Sequence, residues 1–426
     1  MIFTLLHSLI LWILQFYPYP ELFVYPYLTK IGLLPYSQIL DQHFPGLMFL
    51  PLNLYTLGFT TPESMHLLLI LIVIINSVWL YKITKSNLVV LSYALWQPFF
   101  EGNQLWLDQF LPLFTLPSFW FFTQNNFIVS GLLLGLGVVF KQTLVPLVAL
   151  VGIILLVKRK LKNFFVFGIA SVVPSLVMLV YFYSRGLIHD FWYWTIQFNL
   201  STYAAGGKLA PTLNEIIKLL FPVGLILVSI YILRKNKKAW LILGFLVFSI
   251  IGGVARFGFI HLQPAVPFFC LLLGLVFSEI NKKLKILLII PMIILLSWFY
   301  LKQTNLGRTR FFETDNLVLV SEIKKRTKPG EEIFLLGIQP HVYAQTQTVP
   351  AGRVFVFQFP WFLEVAGPQV LSGLKTSRPK LVVYDSESSI DGLYLRNYAQ
   401  YLVQYITTNY KLVWSLGSIN LYESRN

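Results

Sequence analysis

The sequence predicts a polytopic α-helical membrane protein with about eleven transmembrane helices and a small extracytoplasmic α/β domain at its C-terminus. Three observations favour this fold class. Hydrophobic residues form 56% of the 426-residue chain and charged residues only 12%, with a mean hydropathy of +0.68. Basic residues are concentrated in short loops between apolar segments, and the composition becomes polar and mixed after residue 303. A soluble protein of this size does not need so much apolar surface.

The transmembrane domain, residues 1–303, contains the apolar segments that we interpret as spans. Several of those within 88–157 are shorter than the roughly 20 residues that a helix needs to cross the hydrocarbon core. The first segment has no basic n-region and no small-residue cleavage site, so we expect it to be retained. The predicted spans are 2–16, 66–81, 88–100, 109–122, 127–140, 143–157, 164–183, 214–233, 239–255, 264–279 and 285–301.

The basic loops fall between alternate spans, which predicts the orientation of the chain in a cell membrane. Cytoplasmic loops of membrane proteins carry an excess of lysine and arginine, so these loops are predicted to be cytoplasmic. The intervening loops and everything after residue 302 are then extracytoplasmic. The net charge of +15 is explained by these loops, and nucleic-acid binding is therefore excluded. The basic loops are 82–85, 158–162, 234–238 and 282–285.

The C-terminal domain, residues 304–426, has the alternating pattern of a small α/β fold. Helices are predicted at 317–327 and within 391–410, and the segment between residues 339 and 379 is left unassigned. The turn after the first strand lacks G-x-G-x-x-G, so no nucleotide site is expected there. Strands are predicted at 331–338, 380–385, 411–417 and 419–424.

The first outer loop, 17–62, carries the two carboxylates that we single out as catalytic candidates. Glu21 and Asp41 are separated by a stretch that reads as a short amphipathic helix ending at Gly32. A carboxylate where lipid and water meet costs desolvation energy, so it needs either a structural partner or a chemical task.

Other polar residues in the outer loops have two interpretations each. Asp108 is either an ordinary interfacial charge or part of a site, and Lys141 either snorkels to the headgroups or faces an anion. Arg256 is an interfacial anchor or a phosphate ligand, and its outward position favours the phosphate. A divalent metal is a further alternative, held by histidines such as His43 and His261 with nearby aspartates, although no pair has zinc-motif spacing.

Five stretches resemble a known family. The segment GLLPYSQILDQHFPG, 32–46, is similar to the first-loop pattern of lipid-linked-sugar glycosyltransferases of the C-type membrane fold, a group that includes protein mannosyltransferases and aminoarabinose transferases. Glu21 stands at the start of the first outer helix, where that family usually has an acidic residue. GLLLGLGVVFKQT, RFGFIHLQPAVP and TKPGEEIFLLG match in the same order along the chain.

The resemblance implies a reaction and roles for the candidate residues. The donor would be a sugar on a polyprenyl phosphate, and the acceptor a hydroxyl of a glycan, lipid or protein at the outer face. Glu21 or Asp41 would be the base, and we favour Glu21. Lys141 and Arg256 would bind the phosphate, and no metal is certain. We expect further substrate contacts from Tyr36, His43, Asp108 and His261.

The alternative function is a transporter or flippase of lipid-linked saccharides. The acidic residues cluster in outer loops instead of near the midplane, and no inverted repeat is visible, which favours the transferase. A third interpretation is a scaffold with an extracytoplasmic binding domain, which predicts that the loop carboxylates can be replaced freely.

Overall fold

The computed structural model describes residues 2–425, apart from the side chain of Val254. The chain forms two compact units, each assembled from separate stretches of sequence. The first unit contains residues up to 18, 61–180 and 208–309, and the second contains 19–60, 181–207 and everything from 310 onward. Most of the first outer loop therefore groups with the C-terminal segment, whereas the sequence-based division placed it in the transmembrane domain.

The first unit is almost entirely helical. Its strands are one short parallel pair, Tyr17–Pro18 with Gln104–Leu105. Two 3₁₀ turns, Gln142–Leu144 and Phe259–Leu262, connect longer helices. The α-helices are Ile2–Ile13, Pro62–Thr84, Asn87–Phe99, Leu107–Phe110, Pro112–Thr123, Phe127–Phe140, Val145–Val157, Leu161–Ser184, Leu213–Leu233, Lys237–Ser249, Gly252–Ala255, Val266–Glu279 and Lys282–Leu301, of which Leu161–Ser184 continues into the second unit.

The apolar segments predicted as spans lie mainly in α-helices, although 109–122 and 239–255 are each divided between two helices. Among the described residues, four helices are long and apolar enough to cross a membrane by themselves. The others are shorter, so the total of eleven spans remains a prediction. The four helices are Pro62–Thr84, Leu161–Ser184, Leu213–Leu233 and Lys282–Leu301.

Burial differs sharply between two successive helices of the first unit. In Lys282–Leu301 only Leu296 is buried, while Leu287 and Ile294 are each more than 60% exposed. A continuous apolar surface of this kind is stable only against lipid or another apolar partner. Val266–Glu279 has ten buried side chains and forms the centre of the unit.

The second unit contains a five-stranded mixed sheet, which confirms the predicted C-terminal α/β character. Its strand order is Tyr410–Leu416, Ile419–Ser424, Leu381–Asp385, Glu332–Leu336 and Val349–Pro350. The last three strands are mutually parallel, and the first two form an antiparallel hairpin beside them. Leu381–Asp385 is buried along almost its whole length, as expected for a central strand.

Helices and short strands complete the second unit. Ile39–Leu40 pairs in parallel with Phe355–Val356, and this pairing ties the first outer loop to the C-terminal segment. A further two-stranded ladder joins Ser389–Ile390 and Leu393–Tyr394. The α-helices are Glu21–Lys30, Ile188–Trp192, Phe198–Leu200, Thr202–Gly206, Thr314–Arg326, His341–Thr346, Pro360–Ser377, Leu395–Tyr398 and Gln400–Asn409, with a π-helical turn at Tyr193–Gln197 and a 3₁₀ turn at Ala351–Arg353.

One prediction for this unit needs correction, and one unassigned segment proves to be helical in part. The helix Glu21–Lys30 was expected to be amphipathic, but every side chain from Leu22 to Leu28 is buried. It packs inside the unit instead of lying along its surface. The unassigned segment 339–379 contains the 18-residue helix Pro360–Ser377, which the sequence analysis did not identify.

Candidate active site

Asp41 is a buried carboxylate with both oxygens engaged. Its side chain accepts a hydrogen bond from the hydroxyl of Tyr25 at 2.5 Å on Oδ2. Oδ1 accepts from the backbone N–H of His43 at 2.7 Å and from Nδ1 of the same residue at 2.8 Å. The bond to the amide two residues ahead is the usual way in which aspartate holds a turn. Asp41 therefore stabilises the loop, and only 2% of the residue is exposed.

Glu21 has a different environment in the same unit. It is the first residue of helix Glu21–Lys30, and the residue as a whole is half-buried. One of its carboxylate oxygens, Oε2, is fully buried and has no hydrogen-bond partner within the described part of the chain. Burial raises the pKa of Glu21 to about 8, although its own backbone N–H opposes this shift, and the charge of Asp41 adds to it. The carboxyl is therefore mostly protonated at neutral pH and can exchange a proton near that pH.

Tyr36 and His43 support the loop around Asp41. The hydroxyl of Tyr36 donates to the backbone carbonyl of His43 at 2.9 Å, and its ring packs on the rings of Phe49 and Phe191. Tyr36 is fully buried and has a left-handed backbone conformation with φ 65°, which is uncommon for so bulky a side chain. Its contacts are those of a residue that fixes the loop. The side chain of His43 is 19% exposed, so this histidine is the more accessible of the two.

Asp108, Lys141 and His261 meet in the first unit. Oδ2 of Asp108 lies 2.5 Å from Nζ of Lys141 and 2.8 Å from Nδ1 of His261. Burial alone would raise the pKa of Asp108. The charges of Lys141 and His261 and their hydrogen bonds outweigh this effect and hold the pKa of Asp108 well below the usual range for aspartate. The short helix Leu107–Phe110 carries the aspartate, and the lysine directly follows helix Phe127–Phe140.

This cluster changes the interpretation of Lys141. The side chains of Lys141 and Asp108 are 6% and 1% exposed, so the lysine neither snorkels to the headgroups nor presents a solvent-accessible charge. It neutralises a buried aspartate whose Oδ1 has no hydrogen-bond partner among the described residues. His261 is 19% exposed at its side chain and is the most exposed of the three residues.

Arg256 lies in an extended segment that follows helix Gly252–Ala255. Its neighbours fix the backbone, because Phe257 N–H donates to the carbonyl of Leu209 at 2.8 Å and Leu209 N–H donates to the carbonyl of Ala255 at 3.3 Å. The residue is half-buried. Arg256 is therefore a half-buried cation on a backbone that is fixed by hydrogen bonds on both sides.

Lys218 is a candidate that the sequence analysis missed. Its Nζ lies 3.9 Å from the ring centroid of Phe259, 4.7 Å from that of Phe99 and 5.4 Å from that of Phe299. Within the described residues it forms no ion pair, although Glu101 and Glu215 act on it electrostatically. The available signal was a single lysine within the apolar run NEIIKLLFPVGL on helix Leu213–Leu233.

The second unit contains an acid–base group, Glu21, and the first unit contains several cations. Across the described chain, no three His, Cys, Asp or Glu side chains lie close enough together to hold a metal ion. No protein-family model matches this sequence, and comparison with curated proteins finds none that matches it. The assignment of function therefore rests on the residues themselves.

Proposed function

We propose that the protein is an integral-membrane glycosyltransferase that moves a sugar from a polyprenyl phosphate to a hydroxyl acceptor on the outer face of a cell membrane. The observation that carries the proposal is the contrast between Glu21 and Asp41. Among the described residues, one buried carboxylate oxygen of Glu21 has no hydrogen-bond partner and the pKa of this group is about 8, whereas both oxygens of Asp41 are engaged. A C-type membrane fold with eleven spans and an extracytoplasmic second unit is part of this proposal.

The reaction needs a base because an alcohol has a pKa far above neutral. In the proposed step the acceptor oxygen forms a bond to the anomeric carbon while its proton passes to the carboxylate of Glu21. The bond between the anomeric carbon and the phosphate oxygen breaks, and polyprenyl phosphate leaves with the electron pair. A carboxyl group with a pKa of about 8 is a stronger base than an ordinary glutamate and is about one-tenth ionised at pH 7.

The leaving phosphate requires positive charge, and the first unit offers three groups for this task. We assign the donor phosphate to Lys218 and Arg256, with His261 as a further contact. Lys218 forms no ion pair within the described residues, although Glu101 and Glu215 act on it electrostatically, and arginine can make paired hydrogen bonds to phosphate. Lys141 supports these groups indirectly, because its ammonium is held by Asp108.

Replacement of the proposed base is the direct test. Purified wild-type protein in detergent should transfer labelled sugar from a polyprenyl-phosphate donor to a soluble hydroxyl acceptor. Glu21→Gln should reduce turnover by about 100- to 10,000-fold, because the amide cannot accept the proton. Glu63→Gln is the matched control, since Glu63 is exposed in the first turn of Pro62–Thr84 and should leave turnover unchanged.

One outcome would change the assignment of the base, and another would reject the proposed function. Normal transfer by Glu21→Gln together with loss of transfer in Asp41→Asn would move the base to Asp41. If instead reconstituted wild-type protein carries the lipid-linked sugar across vesicles without transferring it, the flippase alternative is correct. Thermal unfolding of each variant ensures that a loss of activity is not a loss of folding.

A further inference from the structure

A pocket of about 420 Å³ lies in the first unit where the ends of several helices meet. Helices Pro62–Thr84, Pro112–Thr123 and Val145–Val157 contribute residues from their last turns. Helices Phe127–Phe140 and Lys237–Ser249 contribute residues from their first turns. The pocket therefore joins two of the basic loops that the sequence predicts to be cytoplasmic.

The charged lining of this pocket is entirely basic. It contains four lysines and no acidic residue, and none of the four forms an ion pair in the part of the chain that the structure describes. Lys160 donates to the side-chain oxygen of Asn125 at 3.2 Å. The lysines are Lys158, Lys160, Lys237 and Lys238.

Two of these lysines occupy a position that is unfavourable for their own helix. Lys237 and Lys238 lie in the first turn of helix Lys237–Ser249, which contains no acidic residue, and Asn236 caps that turn. The N-terminus of a helix carries partial positive charge, so an anion is favoured there and lysine is not. An anionic ligand would neutralise the positive charge of the lysines and the partial positive charge of the helix N-terminus.

The inner wall of the same pocket is apolar. The half-buried Trp120 and Leu241 line it, together with Phe122 and Phe127, which are each 7% exposed. A soluble anion would use the lysines but would gain nothing from this wall. A molecule with an anionic head and a hydrocarbon body satisfies both surfaces.

We propose that this pocket binds an anionic phospholipid, with its phosphate among the lysines and the upper part of its acyl chains along the apolar wall. Basic pockets between the cytoplasmic ends of membrane helices are suited to anionic headgroups. The proposal requires that the first unit lies in a bilayer, but it does not depend on glycosyl transfer.

The test measures lipid binding by native mass spectrometry of the full-length protein in a neutral detergent. Wild type should bind phosphatidylglycerol at least tenfold more tightly than phosphatidylcholine at low salt. A triple variant, Lys158→Gln, Lys237→Gln and Lys238→Gln, should lose on the order of 100-fold in phosphatidylglycerol affinity, since each lysine near an anionic headgroup contributes about fivefold. The loss should shrink as salt rises.

The matched control removes three charges from another basic loop. The triple variant Lys282→Gln, Lys283→Gln and Lys285→Gln changes a helix start of similar composition that does not line the pocket. It should change phosphatidylglycerol affinity by less than about threefold. If both triple variants lose affinity equally, the lysines act only as a general surface charge and the proposal is wrong.

Two further outcomes decide between ligand sources and guard against misfolding. Full competition by millimolar inorganic phosphate, with equal affinity for the two lipids, would identify a soluble-anion site and overturn the lipid assignment. If the first triple variant does not fold, the double variant Lys237→Gln and Lys238→Gln replaces it, with an expected loss of about 25-fold. Retention of wild-type lipid preference by a folded double variant would also overturn the proposal.

Discussion

The rate of the proposed reaction should depend on pH, because the protonated form of Glu21 predominates below pH 8. Only the ionised carboxylate can accept a proton, so kcat/KM of wild type should rise with pH and level off above about 8. An ordinary glutamate would give a plateau from about pH 5 upward. A pH profile that is flat between 6 and 9 would exclude Glu21 as the base.

The same residue links stability to pH. The folded-state pKa of Glu21, about 8, lies above the ordinary value of 4.5, so the folded protein binds this proton more tightly than the unfolded chain does. The resulting stabilisation is fully present below pH 4.5 and is lost as pH rises through 8. The thermal stability of Glu21→Gln relative to wild type should therefore increase as the pH rises from 5 to 8.5. The exposed Glu63→Gln should show no such trend.

Lys141 and Lys218 should behave differently when the charge is removed. Lys141→Met leaves Asp108 buried without its ammonium partner, which should lower the free energy of unfolding by about 3–5 kcal/mol. Lys218→Met removes cation–π contacts worth less than about 2 kcal/mol and should mainly raise KM for the lipid donor. Thermal unfolding and donor titration of both variants test this contrast. A stable Lys141→Met with lost donor binding would restore the phosphate role to Lys141.

The candidate residues were visible in the sequence, but their partners were not. Charged residues beside apolar runs are easily recognised, so Glu21, Asp41, Asp108 and Lys141 could be selected from their positions in the sequence. Whether Lys141 faces lipid, a ligand or Asp108 depends on how separate helices pack, which no local pattern specifies. Lys218 escaped notice because its aromatic neighbours come from three distant segments.

At the scale of elements, hydrophobic runs predicted the helices well. The predicted spans lie mainly in helices because, within a long apolar run, a helix satisfies the backbone hydrogen bonds of its own segment without a partner. The helix Pro360–Ser377 was not predicted because it contains Gly367, Pro368 and Gly373, and glycine and proline are typical of loops. Packing overrides these local signals, as seven of its residues are buried.

The contact between helices Phe127–Phe140 and Leu161–Ser184 depends on two glycines. A Cβ on Gly131 would lie 2.5 Å from the carbonyl oxygen of Phe167, and one on Gly135 would lie 2.2 Å from that of Ser171. Small residues four apart allow two membrane helices to approach closely. Gly135→Ala should therefore force the helices apart and cost about 1–3 kcal/mol in the free energy of unfolding.

A second glycine provides the control for this contact. Gly168 lies within the same helix pair, but a Cβ there would meet nothing within 4 Å. Gly168→Ala should be neutral or stabilising by up to about 1 kcal/mol, because alanine favours helix. Equal thermal midpoints for the Gly135 and Gly168 variants in detergent would show that the close approach does not stabilise the protein.

At the scale of the whole molecule, segments that are far apart in sequence belong to the same compact unit. The second unit joins the first outer loop to the C-terminal segment through the pairing of Ile39–Leu40 with Phe355–Val356 and the hydrogen bond from Tyr27 to the carbonyl of Thr348. These contacts link residues that are far apart in sequence, so composition could reveal the α/β character of the C-terminal segment but not its partner. The proposed base on Glu21–Lys30 is consequently held by residues from the other end of the chain.

The orientation of this unit relative to the membrane is predicted by the basic loops. Since those loops should be cytoplasmic, the sheet of the second unit should lie outside the cytoplasm. Two exposed lysines allow a matched test: Lys411→Cys on the outermost strand of that sheet, and Lys235→Cys in a basic loop of the first unit. The native Cys270 is buried and should give little background labelling. An impermeant maleimide should label Lys411→Cys in intact cells and Lys235→Cys only after permeabilisation. The reverse pattern would place Glu21, which belongs to the same unit as Lys411, on the cytoplasmic side and would rule out transfer at the outer face.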